Sequence, residues 1–223
     1  MSALLAVETS GSLCSLAIHV AGRWFEDTQN VERLHNRVVL ANLDALTASA
    51  GLGRNAFGAV AFGAGPGSFT GVRIAAAVAQ GVAFASGAVV VPVRSSQALA
   101  TAAFARAPAS SAAGGLVTVT RSRRDAYYLA GYRSDGGVAR QCLDDRLHQG
   151  EQTPADLPDD WPGAGDRPPW WPKHQPFFDD VVVTALTIGE VALALLESGA
   201  GLPAEAALPV YVAGDSPWRP AGS

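Results

Sequence analysis

The residues best suited to binding chemistry form a glycine-rich loop between a short apolar run and a long alanine-rich run. Glycine tolerates backbone angles that other residues avoid and proline fixes one angle, as a tight functional loop requires. A hydroxyl residue of the loop can cap the next helix, whose first N–H groups then bind anions or carbonyl groups of a partner. The loop comprises Gly65, Pro66, Gly67, Ser68, Phe69, Thr70 and Gly71, and Ser68 or Thr70 is the predicted cap.

No motif brings together residues for metal or nucleophilic catalysis. His35 is alone before the first predicted helix, and Val39 stands one turn later, where a second metal ligand would be needed. No Gly-x-Ser-x-Gly element occurs, and Ser68 has no histidine–acid pair near it in sequence. We therefore predict no catalytic residue and no metal site, and we expect His35 to be a helix cap or a surface residue.

The composition argues against a membrane protein and against a protein that holds nucleic acid by charge alone. The chain has 223 residues, 48% of them hydrophobic, which is enough for one large domain or two small ones. Its formal net charge is −4, with both signs interspersed. Residues 74–93 are free of charge, but Gly87 and Pro92 divide them into a helix and a strand. We expect no membrane partner and a reducing, cytoplasmic location, in which Cys14 is a buried thiol.

Hydrophobic periodicity divides the first half of the chain into alternating strands and helices. Short apolar or alternating runs predict strands, and a period near 3.6 predicts helices, with Gly51 and Gly87 as helix stops. The predicted strands cover residues 3–8, 13–19, 23–28, 59–62 and 89–93, and the predicted helices cover residues 37–50, 70–86 and 95–106.

The second half begins in a similar way and then loses its pattern. Strands are predicted over residues 116–120, 126–132 and 138–143, with Asp135-Gly136-Gly137 as a hairpin turn, and a helix over residues 188–198. We predict two lobes, residues 1–107 and 108–223, divided near the small polar stretch 108–115. Residues 144–180 show neither the period of 2 that is typical of strands nor the period of 3.6 that is typical of helices. The second lobe is therefore predicted to be a truncated copy of the first. The tryptophans of this half either pack the lobe or cover a partner; they are Trp161, Trp170, Trp171 and Trp218.

The first two helices carry apolar faces that predict a protein interface. In the second helix small residues recur every four positions beside another apolar stripe, so the helix is apolar nearly all round. The alternative is that the chain's own sheet and first helix cover both faces. If the small residues face a partner, Ala79→Leu should block association, because such interfaces tolerate added methylenes poorly. The predicted interface residues are Val39, Leu40, Leu43 and Leu46 in the first helix and Gly71, Ala75, Val78, Ala79, Val82 and Ala83 in the second.

Four motifs occur in an order and spacing that resemble the TsaB (YeaZ) family. Val7-Glu8-Thr9-Ser10 matches that family's Asp-Thr-Ser at the end of the first strand, apart from Glu8, and His35-Asn36 matches an element before its first helix. The stretch GPGSFTGVR at residues 65–73 and the segment 92–100 match the other two. The resemblance implies an α/β fold of the actin-like ATPase (ASKHA, ribonuclease H-like) superfamily, with two lobes of which the second is degenerate.

The resemblance also implies a function in making threonylcarbamoyladenosine at the adenosine 3′ of the tRNA anticodon. Members of the family are non-catalytic subunits that bind and order a catalytic TsaD subunit, with a TsaE ATPase docked at the junction. The helices that correspond to residues 37–50 and 70–86 pack against the same helices of TsaD, or of a second copy when the partner is absent. The resemblance implies contact with tRNA only through the complex.

Polar residues after the first strand leave a nucleotide-dependent enzyme as an alternative. In the superfamily that the resemblance implies, the first hairpin wraps nucleotide phosphates, and Glu8, Thr9, Ser10, Gly11 and Ser12 occupy that position. A polar turn also explains these residues, and we favour the turn because the second half supplies no clear counterpart. We expect no cofactor beyond weak nucleotide binding at a subunit junction. A kinase or ATPase would use Glu8, Thr9 and Ser12. A homodimeric structural protein is the third interpretation.

A basic cluster lies at a predicted hairpin of the second half. Arg121, Arg123 and Arg124 could touch a tRNA backbone in an assembled complex. Because Asp125 is adjacent and exposed hairpins commonly carry charges, a solvated surface is the favoured interpretation.

Overall fold

The first of two sheets has five strands in the order β3-β2-β1-β4-β5. The computed structural model describes residues 2–31, 34–53, 55–106 and 114–212. The central strand β1 (Ala3–Glu8) pairs antiparallel with β2 (Leu13–Val20) and parallel with β4 (Phe57–Gly65). The edges are β3 (Arg23–Asn30), antiparallel to β2, and β5 (Val89–Arg94), parallel to β4. All five predicted strands are confirmed, four of them longer than predicted.

Helices cover both faces of this sheet. Helices α1 (His35–Ser49) and α2 (Phe69–Ser86) pack on one face, and α4 (Ala185–Glu197) packs on the other. The two predicted signals that bound α2 are confirmed. The Ser68 hydroxyl accepts the N–H of Gly71 at 3.3 Å, and Gly87 ends the helix in the left-handed conformation.

Helix α2 is the described helix that is long and apolar enough to cross a membrane by length and composition alone. Buried helices of globular proteins satisfy the same criterion. Here Ala75, Ala79 and Ala83 are at most 1% exposed and belong to the core beneath the first sheet. The apolar character of α2 is therefore partly explained by packing within the chain.

The second sheet also has five strands, in the order β10-β9-β6-β7-β8. Its meander consists of β6 (Leu116–Arg123), β7 (Ala126–Asp135) and β8 (Val138–Gln149), and Gly136 and Gly137 form the hairpin turn as predicted. Two very short strands extend the sheet beyond β6. Strand β9 (Gly163–Gly165) pairs parallel with β6, and β10 (Phe177–Phe178) pairs parallel with β9. Residues 144–180 thus contain strands, although the hydrophobic periodicity from which strands are predicted is absent there.

The tryptophans of this segment pack the second lobe. Trp161 and Trp171 are 6% and 5% exposed, and they contact the buried face of β6 and β7 with Trp170 at their margin. The ring centroids of Trp171 and Phe177 are 5.0 Å apart in an edge-on contact. For these three tryptophans, packing the lobe is the interpretation that the structure supports; Trp218 lies outside the described residues.

The two halves of the chain exchange helices. Helix α3 (Ser95–Arg106), which follows the first sheet in sequence, packs on the second sheet, whereas α4, which follows the second sheet, packs on the first. The Ser96 and Tyr132 hydroxyls are 2.8 Å apart, and the Gln97 amide donates to the Ala139 carbonyl at 2.9 Å, so α3 is tied to the second sheet. The predicted boundary at residues 108–115 falls mostly outside the described residues and stays a prediction.

The C-terminal part of the described chain returns to the first sheet. Val90 and Leu202 exchange backbone hydrogen bonds of 2.8 and 2.9 Å along the outer edge of β5. A short 3₁₀ helix, Ala204–Ala206, packs against α2, and the Val210 N–H donates to the Ala64 carbonyl at 2.8 Å. This return places residues 210–212 beside the glycine-rich loop.

Candidate functional site

The glycine-rich loop is bound to the turn between β1 and β2. The Thr9 hydroxyl donates to the Gly71 carbonyl at 2.7 Å, and the Ser68 N–H donates to the Ser10 carbonyl at 2.7 Å. A Cβ atom at position 71 would overlap the Thr9 carbonyl, and one at Gly67 would lie 2.8 Å from the Ser10 Cβ. Glycine is required at both positions because the two backbones approach so closely. The loop therefore fixes the start of α2 against the first hairpin.

Glu8 stabilises the β1–β2 turn from within. Its side chain is 1% exposed, accepts the Ser10 N–H at Oε1, and accepts the Ser95 hydroxyl at Oε2 at 3.4 Å. Burial raises the pKa of this carboxyl, and the hydrogen bonds from Ser10 and Ser95 oppose that rise. Since the carboxyl and the Thr9 hydroxyl are engaged within the chain, these contacts favour a structural turn over a phosphate loop. Gly11 and Ser12 are the exposed residues of the turn.

An open cleft of about 520 Å³ lies between the two lobes, beside this turn. The three arginines of the β6–β7 hairpin line it together with Asp166 and Asp179. The Arg121 N–H donates to Asp166 Oδ2 at 2.8 Å, which ties the hairpin to the segment after β9. Arg124 lies 3.5 Å from Asp125, and both side chains are largely exposed. The structure thus places Arg121, Arg123 and Arg124 at the cleft that also contains Glu8.

A second feature of similar volume is an apolar groove between α1 and α2, of about 520 Å³. Leu40 lines it and is 61% exposed, and Phe84, which is 66% exposed, lies on the outer surface of α2. Gly81 lies in the groove, and a Cβ atom added there would have no atom of this chain within 4 Å. The lining residues are Leu40, Leu43, Asp44, Thr47, Phe57, Ala77, Val78, Gly81, Val82 and Ala85. We name this surface the α1–α2 groove.

The small-residue stripe of α2 does not belong to this open surface. Ala75, Ala79 and Ala83 face the chain's own sheet, and Gly71 lies against Thr9. The expectation that the stripe is open to another helix is therefore wrong, and Ala79→Leu would disturb the core instead. Periodicity identifies a face of a helix, but it does not indicate which neighbour covers that face.

The remaining predicted interface residues divide between core and groove. Val39 and Leu46 are buried in the core, while Leu43 and Val78 are buried and also line the groove. Val82 lines the groove and is partly exposed, whereas Leu40 lines the groove and is exposed to solvent. Six further groove residues are not among the predicted interface residues, and for the three small ones the sequence carries no signal that distinguishes an exposed residue from a buried one. The six are Asp44, Thr47, Phe57, Ala77, Gly81 and Ala85.

The position and burial of His35 differ from those predicted. It is the first residue of α1 but is only 5% exposed, and its Nε2 has no hydrogen-bond partner among the described residues. It is neither a helix cap nor a surface residue. Over the described part of the chain, no group of three or more histidine, cysteine, aspartate or glutamate side chains is placed to hold a metal ion.

One pair of residues that no motif indicated joins the lobes. Arg94, at the end of β5, donates to Asp145 on β8 at 2.9 Å, and the Asp145 side chain is only 3% exposed. Gln141 donates to the same carboxylate oxygen at 3.1 Å. The two charged residues are 51 positions apart, so only the folded topology brings them together.

Known proteins are similar to this chain in sequence and in fold. A family model described as TsaD, tRNA N6-adenosine threonylcarbamoyltransferase, matches residues 28–153. The solved structure of YeaZ from Pseudomonas aeruginosa superimposes with a TM-score of 0.82 at 31% identity, covering 95% of this chain and all of that one. The chain belongs to the TsaB (YeaZ) family. A second structure from the same organism, described as similar to peptidase YEAZ, gives a TM-score of 0.83 at 32% identity with the same coverage.

Two curated relatives bear the name tRNA threonylcarbamoyladenosine biosynthesis protein TsaB. The Haemophilus influenzae protein is 44% identical over 101 residues, and the Escherichia coli protein is 27% identical over 140 residues. These matches cover 45% and 60% of this chain but only 43% and 57% of the relatives, so the chain matches about half of their length. Membership of the TsaB family and the two five-stranded sheets confirm the predicted actin-like (ASKHA, ribonuclease H-like) fold.

Proposed function

We propose that this TsaB-family chain is a non-catalytic subunit in the synthesis of tRNA threonylcarbamoyladenosine. The names of its curated relatives support the pathway. In this proposal the chain binds and orders a TsaD-like catalytic subunit, and a TsaE-like ATPase docks at their junction in the cytoplasm. The chain needs no cofactor or metal of its own, and it contacts tRNA only within the assembled complex.

The α1–α2 groove is the observation that carries this proposal. Contiguous exposed apolar surface is costly in water and marks sites of protein association. Leu40 in the groove and Phe84 on the outer surface of α2 are large apolar side chains exposed to water, and exposed Gly81 lets a partner's helix approach closely. A helix pair of a TsaD-like subunit, or of a second copy of this chain, would complete a four-helix bundle on the groove.

The nucleotide-dependent enzyme remains the alternative, and the interlobe cleft is the observation in its favour. Against it, the Glu8 carboxyl accepts the Ser10 N–H and the Ser95 hydroxyl. Calorimetric titration of the isolated chain with ATP and magnesium distinguishes the two functions. Tight stoichiometric binding would support the enzyme, whereas the subunit proposal expects none.

The direct test is product formation in a reconstituted reaction. Purified TsaD, TsaE and threonylcarbamoyl-adenylate are incubated with unmodified tRNA, with and without this chain. The proposal expects threonylcarbamoyladenosine only when the chain is present. Equal product without it would overturn the proposed role.

A matched pair of variants connects this role to the groove. Leu40→Glu places a charge on the open side of the groove, whereas Ala45→Glu places the same charge on an exposed part of α1 outside it. Loss of TsaD binding and product with the first variant, and retention with the second, would support the groove as the binding surface. Equal behaviour of the two variants would contradict it.

A further inference from the structure

Helix α2 has a second neighbour besides α1, namely the returning C-terminal segment. The 3₁₀ helix Ala204–Ala206 packs against α2, and the hydrogen bond from the Val210 N–H to the Ala64 carbonyl fixes the residues that follow. None of the residues of this segment lines the α1–α2 groove. The exposed face of α2 is therefore bordered both by the groove and by the returning segment.

Large apolar side chains are exposed where the returning segment meets α2. Leu208 and Tyr211 are 63% and 57% exposed, and Phe69, the first residue of α2, is 46% exposed. Exposed apolar side chains that lie together mark a surface for association. We name Phe69, Arg73, Leu208 and Tyr211 the return patch.

Arg73 joins the return patch to the α1–α2 groove. Its guanidinium carbon lies 3.3 Å from the centre of the Phe69 ring and 5.3 Å from the centre of the Tyr211 ring. Ala77, one turn later in α2, lines the groove. Since residues one turn apart are neighbours on the surface of a helix, Arg73 and Ala77 lie side by side. The exposed surface is therefore continuous from the groove to Tyr211.

The return patch combines aromatic rings with a cation that is held in place. Tyrosine and arginine are among the residue types that contribute most often to binding at protein interfaces. One N–H of Arg73 donates to the Phe69 carbonyl at 3.1 Å, and a guanidinium carries further donors in a planar fork that fits a carboxylate. A protein that covers this patch should therefore present a carboxylate surrounded by apolar side chains.

We propose that the return patch and the α1–α2 groove form one interface, in which the TsaD-like subunit presents a carboxylate to Arg73. This proposal rests on the proposed function, which supplies the partner. What it adds is a second contact surface and the chemistry of the group that meets it.

A second copy of the chain fits this surface less well. In a two-fold interface both partners use the same surface, so the chain would have to supply the carboxylate from its own groove or patch. The return patch contains no acidic residue, and Asp44, which lines the groove, already interacts within the chain. A different protein is therefore the favoured occupant.

The first test is calorimetric titration of the full chain with TsaD, comparing the unaltered chain with Leu208→Glu. A charge at this exposed position should weaken binding by at least about 30-fold, because the patch is then no longer apolar. Val182→Glu is the matched control, since Val182 is 52% exposed but lines the interlobe cleft. The control should bind TsaD as the unaltered chain does, and circular dichroism checks that both variants are folded.

The second test concerns the charge of Arg73. Arg73→Gln should weaken the binding of TsaD about tenfold and make it less dependent on salt, because the ion pair across the interface is lost. Arg73→Lys keeps the charge and should retain the salt dependence of the unaltered chain. Arg140→Gln is the control, since Arg140 is an exposed arginine of β8 that lies 3.5 Å from Asp135. Equal effects of Arg73→Gln and Arg140→Gln would contradict the proposed carboxylate.

The outcomes separate this proposal from the function on which it rests. If Leu40→Glu abolishes binding while Leu208→Glu and Arg73→Gln leave it unchanged, the return patch is outside the interface and the proposed function stands. If the unaltered chain does not bind TsaD, both are wrong. If Leu208→Glu weakens self-association in the analytical ultracentrifuge but not the binding of TsaD, a second copy covers the patch and the proposal is overturned.

Discussion

Arg94 and Asp145 form an ion pair across the two sheets in which only one partner is withdrawn from water. The Arg94 side chain is 41% exposed, whereas the Asp145 side chain is 3% exposed. One oxygen of Asp145 accepts hydrogen bonds from Arg94 and Gln141, and the other has no hydrogen-bond partner among the described residues. The energetic consequences of removing either partner are therefore unequal.

We expect Arg94→Gln to destabilise the chain more than Asp145→Asn. The first change leaves a buried carboxylate without its cation and should lower the free energy of unfolding by about 1–3 kcal/mol. The second leaves an arginine that can be hydrated and should lower it by less than about 1 kcal/mol. Urea unfolding of both variants checks the order, and equal losses would contradict it.

Glu8→Gln should change how stability depends on pH. The pKa of Glu8 is higher in the folded chain than its usual value of 4.5, because the carboxyl is buried. Folding therefore favours the protonated form, and stability should fall as the pH rises through 4.5 toward the raised value. Glutamine can accept the Ser10 N–H and donate to Ser95, so the variant should fold and lose this dependence.

Urea midpoints measured across that pH range check the prediction for Glu8. Glu151→Gln, at an exposed position outside the sheets, is the matched control and should retain the slope of the unaltered chain. A Glu8→Gln variant with an unchanged slope would show that another group causes the pH dependence.

Substitutions at Gly81 should separate stability from association. Gly81→Ala should raise the free energy of unfolding by about 0.5–1 kcal/mol, because glycine is a poor helix former and the added methyl group has free space. Gly81→Leu should keep the fold but fill the α1–α2 groove and abolish binding of a TsaD-like subunit. Binding is measured by calorimetry, with Ala45→Leu as the control outside the groove. Unchanged binding by Gly81→Leu would remove the groove from the interface.

The two thiols should differ sharply in reactivity. Cys14 is buried, and burial, with a smaller contribution from Asp27, raises its pKa to about 11, whereas Cys142 is exposed. In the folded chain at neutral pH, a thiol reagent such as iodoacetamide should modify Cys142 and leave Cys14 intact. Mass spectrometry of tryptic peptides locates the label. Early labelling of Cys14 would mean that the first sheet opens readily.

Local signals predicted the first lobe well. The helix stop at Gly87 and the cap at Ser68 depend on neighbours within one turn, and both are present in the structure. Long-range packing was less predictable. The approach of Thr9 to Gly71 spans 62 positions, and the burial of Ala79 depends on a sheet formed by distant segments. In the second lobe, tryptophan side chains form much of the core that periodic apolar residues form in the first lobe. The short strands β9 and β10 therefore had no recognisable sequence pattern.

The exchange of helices between the lobes has a consequence for biosynthesis. The face of the first sheet that contains Leu4, Ala6 and Ala17 is covered by α4, which ends at Glu197. During synthesis on the ribosome the first sheet is made before the second, yet this apolar face stays uncovered until α4 has emerged. A nascent chain that stops before α4 would expose this face and aggregate. The core of the first sheet is therefore completed only after the second sheet has been synthesised, and neither half should fold as an independent unit.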